Sequence, residues 1–193
     1  NTPRWTALAS VGNRSDAAQQ YSIENEGLYS PTNLISQYLS ELQSAREAVD
    51  ILATSDLNFA GYNLIVTDRS EAYRIECYRD ERNAKKLSKR AIVTNHFDHI
   101  PFGPKNFKDY PSSFKRETEA KRRIEIINNV DDLWALMKFT RVDDEDQSIW
   151  RYSENFWTVS STILNVEKGS LVLSATPKFD ASSVFIVKLQ FNN

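Results

Sequence analysis

Ala91-Ile-Val-Thr-Asn-His-Phe-Asp-His-Ile-Pro-Phe-Gly-Pro104 is the stretch on which the fold turns, because an apolar run ends there in Thr94 and Asn95 and the chain's 2 histidines follow. A short β-branched run bounded by turn residues reads as a strand. The expectation is a buried strand from roughly Leu87 to Asn95 that delivers polar side chains to a rim. Pro101, Gly103 and Pro104 forbid its continuation. Active-site groups often sit where a rigid strand gives way to a loop. The same pattern also serves a strand end whose Asn and His satisfy turn backbone.

Upstream of it, Arg4 to Val11 reads as a strand, and the polar, aperiodic stretch that follows through Asn25 and Gly27 as a loop. Ser30-Pro31 opens a helix, serine as cap and proline at the first helical position, with Leu34, Ile35, Tyr38, Leu39 and Leu42 on one face. Ser44 and Glu47 form a capping box for a second helix whose Ala45, Ala48, Val49 and Leu52 repeat at helical spacing. The period then changes to two. Tyr62 to Thr67, a turn at Asp68-Arg-Ser70 and Ala72 to Tyr78 make a β-hairpin, with Tyr73, Ile75 and Cys77 facing a core and Arg74, Glu76 and Tyr78 alternating with them. Arg82 to Lys86 reads as a solvated basic turn.

Downstream, Pro111-Ser-Ser113 starts a third helix that runs through Ile127 with Phe114, Ala120, Ile124 and Ile127 inward, and Asn129 and Asp132 cap a fourth carrying Leu133, Leu136 and Met137. Arg141 to Gln147 is acidic and lacks the spacing of a calcium loop, so it reads as an exposed loop. Three strands close the chain, Phe156 to Val166, Ser170 to Thr176 and Ser183 to Phe191, the first two joined by a turn at Glu167 to Gly169. Tight turns between strand pairs imply antiparallel sheets with helix pairs on their faces, an α+β fold.

Composition bounds the function. A chain of 193 residues favours a single domain over 1–193, residues 1–29 being the least assignable. A net charge of −2 argues against a dedicated nucleic-acid binder. The single cysteine excludes an internal disulfide and points to a reducing compartment, cytoplasmic or organellar. No apolar stretch reaches the roughly 20 residues of a membrane span, and no signal-peptide pattern opens the sequence. The first residue is Asn1, which suits a processed or partial product. No phosphate-binding glycine loop, nucleophile elbow or cysteine pair for zinc is present, so no cofactor is expected. His96, Asp98 and His99 are poor candidates for a metal site, because three ligands within four residues of extended chain rarely converge on one ion.

Several strings, in order, resemble one superfamily. They are Ser30-Pro-Thr-Asn-Leu-Ile-Ser-Gln-Tyr-Leu39, Ala45-Arg-Glu-Ala-Val-Asp-Ile-Leu52, Gly61-Tyr-Asn-Leu-Ile-Val-Thr-Asp68, Val93-Thr-Asn-His-Phe-Asp-His99, Ser113-Phe-Lys-Arg116 and Thr158-Val-Ser-Ser-Thr-Ile-Leu164. Over roughly residues 30 to 191 they look like the linear-amide C–N hydrolase branch of the N-terminal-nucleophile hydrolases. That branch includes choloylglycine hydrolases, acid ceramidase, N-acylethanolamine amidase, penicillin acyltransferase-like proteins and the family named for an Asn-Arg-Asp-Glu motif. The resemblance implies a four-layer αββα sandwich and an N-terminal cysteine that attacks an acyl carbon. Its own α-amino group, with a pKa near 7.7–8.0, serves as the base. It also implies catalytic roles for Asn95, at the oxyanion or the nucleophile's amine, and for Arg116, with His96 and Asp98 as substrate-binding candidates. Cys77 lies mid-chain and has no free amine. A second polypeptide or missing segment would therefore supply the nucleophile, acting on a small-molecule amide or acyl substrate. The alternative is a non-catalytic binding or assembly module of the same fold.

Overall fold

The computed structural model describes residues 7–12, 29–38, 41–88, 90–101, 111–141, 143–151, 161–165, 170–174 and 184–188. They belong to two compact units, 1–114 and 115–193. The expected loops at 13–28 and 102–110, the turn Glu167 to Gly169 and the outer parts of the first and last strands lie outside the described residues.

In the first unit, β1 (Ala7–Gly12) leads to α1 (Pro31–Tyr38) and α2 (Ala45–Thr54), then to β2 (Phe59–Thr67), β3 (Ala72–Arg79) and β4 (Glu81–Leu87). The strands form one antiparallel sheet in the order β1-β2-β3-β4, with Ser10 opposite Leu64, Leu64 opposite Ile75 and Ile75 opposite Ala84. The capping signals hold at α2: Ser44 Oγ accepts the Glu47 N–H at 3.2 Å, and Glu47 Oε2 accepts the Gln43 N–H at 2.7 Å. The hairpin turn reaches the same helix. Asp68 Oδ1 accepts the N–H groups of Ser70 and Glu71 at 2.6 and 2.9 Å, while its Oδ2 accepts the Ala45 N–H at 2.7 Å.

The pleat gives the sheet two unlike faces. Tyr62, Leu64 and Val66 of β2 stand opposite Cys77, Ile75 and Tyr73 of β3. These side chains join Ile35, Leu42, Ala45, Ala48, Val49 and Leu52 of the helical segment in one apolar core. On the other face Asn63 stands opposite Glu76 and Ile65 opposite Arg74. Asn63, Arg74, Glu76 and Tyr78 are all buried as well.

The cover over that polar face corrects the reading of the opening stretch. Residues 88–95 form no strand where described; the strand is Glu81–Leu87, the segment expected to be a basic turn. Its residues pair with β3 from Ala72–Leu87 to Tyr78–Glu81, and Asn83, Ala84, Lys85 and Lys86 are exposed. Charged side chains suit an edge strand because water solvates them there, so charge alone does not distinguish such a strand from a turn. Ala91, Ile92 and Val93 are only half-buried, and the segment packs through side chains from the sheet instead of a backbone ladder.

The second unit takes up most of α3 (Pro111–Ile124), then α4 (Val130–Met137), a single 3₁₀ turn (Glu145–Gln147) and β5 (Ser161–Asn165), β6 (Ser170–Ser174) and β7 (Val184–Lys188). Helix α3 stops at Ile124, short of the expected Ile127, because its end tightens into bonds from Ile126 N–H to Arg123 O and from Ile127 N–H to Ile124 O. Asn129 caps α4 as its sequence predicts, accepting the Asp132 N–H at 2.9 Å. The three strands form an antiparallel sheet in the order β5-β6-β7, with Ile163 opposite Val172 and Val172 opposite Ile186. The class is α+β. No described helix is long and apolar enough to cross a membrane.

Candidate functional site

The site is built from the polar face of the β2–β3 hairpin upward. Asn63 is fully buried, and its Nδ2 donates to the Thr94 carbonyl at 3.0 Å and the His96 carbonyl at 2.9 Å. Beside it, Arg74 Nη2 donates to Asn63 Oδ1 and the His96 carbonyl, both at 3.3 Å. The same guanidinium bridges two carboxylates, Glu76 Oε1 at 2.9 Å and Asp98 Oδ2. Glu76 is also an acceptor for three successive backbone N–H groups, those of Asp98, His99 and Ile100 at 2.8, 2.9 and 2.8 Å. An ionised carboxylate is an acceptor only and has several lone pairs to fill. Three amides and a guanidinium supply the partners that burial denies it from water.

The first turn of α3, residues 111–114 of the same unit, closes the other side. Ser113, fully buried there, accepts the Asn95 N–H at Oγ, 2.9 Å away. The same oxygen lies 2.8 Å from His96 Nδ1, which is also 3.1 Å from Thr94 Oγ1. The His96 ring stacks on Phe114 with centroids 3.9 Å apart and planes 18° apart. Phe97 and Ile100 turn inward with Tyr78 as a small apolar cluster.

Of the residues expected at the site, Asn95, His96 and Asp98 share this one segment. Asn95 and His96 are buried, at 9% and 3% exposure, whereas the Asp98 side chain is 36% exposed. Arg116 is half-buried one turn after Ser113, in the part of α3 that belongs to the second unit. His99 is exposed and engages Glu76 through its backbone. The sequence reading did not assign a role to Asn63, Arg74 or Glu76. Their signal was present in the hairpin register, which aligns three polar side chains on one face of two adjacent strands.

Two other features bear on the chemistry. Cys77 is fully buried on the apolar face, and burial pushes its thiol up to about 12. A thiol in that state is not a nucleophile near neutral pH. The acidic loop satisfies itself: Asp144 accepts from Lys115 Nζ at 2.8 Å and Gln147 Nε2 at 3.0 Å, and Arg141 pairs with Asp143 at 2.9 Å. The Lys115 hydrogen bond holds the Asp144 carboxyl below the usual range. No protein-family model matches the chain, and no curated protein matches it significantly.

Proposed function

We propose that the chain is part of a linear-amide C–N hydrolase or acyltransferase of αββα architecture, in which Asn95 serves an N-terminal cysteine carried outside these residues, on a second polypeptide or a missing segment. The observation that carries this reading is the immobilisation of Asn95. Its own N–H is bound by Ser113, and the carbonyls of the residues on either side are bound by Asn63. Fixing the backbone before the substrate arrives is what a transition-state hydrogen-bond donor requires. The buried Cys77 thiol supports a nucleophile from elsewhere.

In the proposed reaction the cysteine's α-amino group takes the thiol proton, and sulfur attacks the amide carbon. The carbonyl oxygen becomes an oxyanion, to which the Asn95 side-chain amide donates. Collapse breaks the C–N bond, the amine departs with the proton, and a thioester remains. Water, or an amine in the acyltransferase case, then attacks the thioester and releases the cysteine.

The close Ser113–His96 pair invites comparison with a serine hydrolase. Ser113 has no exposed surface, however, and already accepts the Asn95 N–H, which suits a support for the segment better than a nucleophile. Intact mass and N-terminal sequencing of every polypeptide in the native assembly test the reading, alongside turnover of an acyl p-nitroanilide series. A cysteine-initiated polypeptide and a drop of about 10²–10³ in turnover for Asn95→Ala are expected. An active assembly without such a cysteine would overturn the hydrolase reading. A folded assembly that has neither the cysteine nor turnover would favour the non-catalytic module.

A further inference from the structure

We propose that Asn63 is a positioning residue that sets Asn95, backed by Arg74 and Glu76. This rests on the reading that Asn95 meets the substrate. Asn63 is the only side chain among the described residues whose single amide nitrogen is shown bonding both carbonyls that flank Asn95. Those two bonds fix the 94–95 and 96–97 peptide planes, and the Asn95 N–H bond to Ser113 holds the first of them again, so the backbone that carries the Asn95 side chain is tied to the place of Asn63 in β2. Strand β2 is interior to the sheet, between β1 and β3, and a site built on such an element is held more closely than one built on a free loop.

Asn63 is itself held. Arg74 Nη2 donates to its Oδ1 at 3.3 Å, which leaves the Nδ2 hydrogens aimed at the segment. Arg74 is oriented in turn by Glu76 and Asp98, one carboxylate fully buried and the other 36% exposed. Glu76 secures the next turn of the segment through the N–H groups of residues 98–100. The order of support therefore runs from the Glu76 carboxylate to the Arg74 guanidinium, to the Asn63 amide, to the backbone around Asn95. None of these three supporting residues is required to touch substrate.

The test compares wild type, Asn63→Leu, Asn95→Ala and the double variant in the native assembly. Its readouts are p-nitroanilide turnover and hydrogen exchange of the amides of residues 95–100. Asn63→Leu preserves side-chain size and removes the donor. It is expected to speed exchange at 95–97 while leaving α2 protected, and to lower kcat by about 10- to 10²-fold with KM within about twofold. The double variant is expected to be no slower than Asn95→Ala alone, because a residue that acts only through Asn95 has nothing left to position. Multiplicative losses, or unchanged kcat despite faster exchange, would overturn the proposal while a slow Asn95→Ala still upheld the hydrolase reading. If Asn95→Ala turns over at the wild-type rate, that reading fails, and the positioning proposal with it. Should Asn63→Leu not fold, Asp98→Asn at the exposed end of the chain of support takes its place. A smaller kcat loss that disappears in the Asn95→Ala background supports the proposal, and an additive loss overturns it.

Discussion

At the scale of single residues, Cys77 and Glu76 show how differently two neighbours on one strand are treated. The Cys77 thiol faces the apolar core, where burial favours its neutral form. The folded thiol titrates near 12, against about 8.5 in an unfolded chain. The linkage has a definite sign: the folded state is unaffected below about pH 8.5, and above it the unfolded state gains by ionising, so stability falls as pH rises toward 12. Urea melts between pH 8 and 11 should lose up to about 1.4 kcal/mol per pH unit more for wild type than for Cys77→Ala. A thiol reagent at pH 8 should label Cys77 only in denaturant; rapid labelling of the native state would contradict the buried assignment. Glu76, one residue earlier, points the other way into a ring of donors. The period-two pattern separated these two side chains correctly. What it did not reveal was that the Glu76 side was also covered, because an alternating strand normally turns its polar face to water.

Among the elements, those with a local physical cause were readable and those made by distant partners were not. Ser44 with Glu47 and Asn129 with Asp132 lie within one helical turn of each other, and the structure contains both caps. The Asp68 turn is equally local, yet its reach to Ala45 depends on the hairpin folding back onto α2. Burial works to raise the Asp68 carboxyl, but the N–H bonds of Ala45, Ser70 and Glu71 outweigh it and hold the group below its ordinary value. A lowered folded pKa stabilises above the unfolded value near 3.9 and ceases to do so as pH falls through the folded one. Asp68→Asn should therefore cost on the order of 0.5–1 kcal/mol at pH 7, the usual value of an anion at a helix N-terminus. The gap from wild type should close below about pH 4. Parallel denaturation curves at pH 7 and pH 3 check this, and an equal gap at both would show that charge plays no part. Strand β4 is the opposite case. Arg82 to Lys86 have no apolar pattern, and only the register with Ala72 to Tyr78 makes them a strand. The Leu87 to Asn95 expectation failed for the complementary reason: Ala91, Ile92 and Val93 have strand-like composition but no described ladder partner.

Across the whole molecule, the α+β class followed from turn lengths and capping signals, which are local, whereas the layout of the candidate site followed from one long-range event. That event is the settling of residues 94–100 onto the β2–β3 hairpin through Asn63, Arg74 and Glu76. The Asn95 expectation needed only the Val93 to His99 string, but the reason Asn95 is held is visible only when positions 63, 95 and 113 meet. The hairpin is thus a partition between two interiors governed by different rules. On the greasy side, any side chain of suitable volume satisfies the neighbours; on the other, the Asn63 amide, the Glu76 carboxylate and the two terminal nitrogens of the Arg74 guanidinium have assigned counterparts. A saturation library across β3, selected for folded protein, should consequently show a tolerance profile with a period of two. Positions 73, 75 and 77 should accept several hydrophobic replacements, while 74 and 76 admit almost none, so the most chemically restricted codons of the strand would be those of its two buried charged residues.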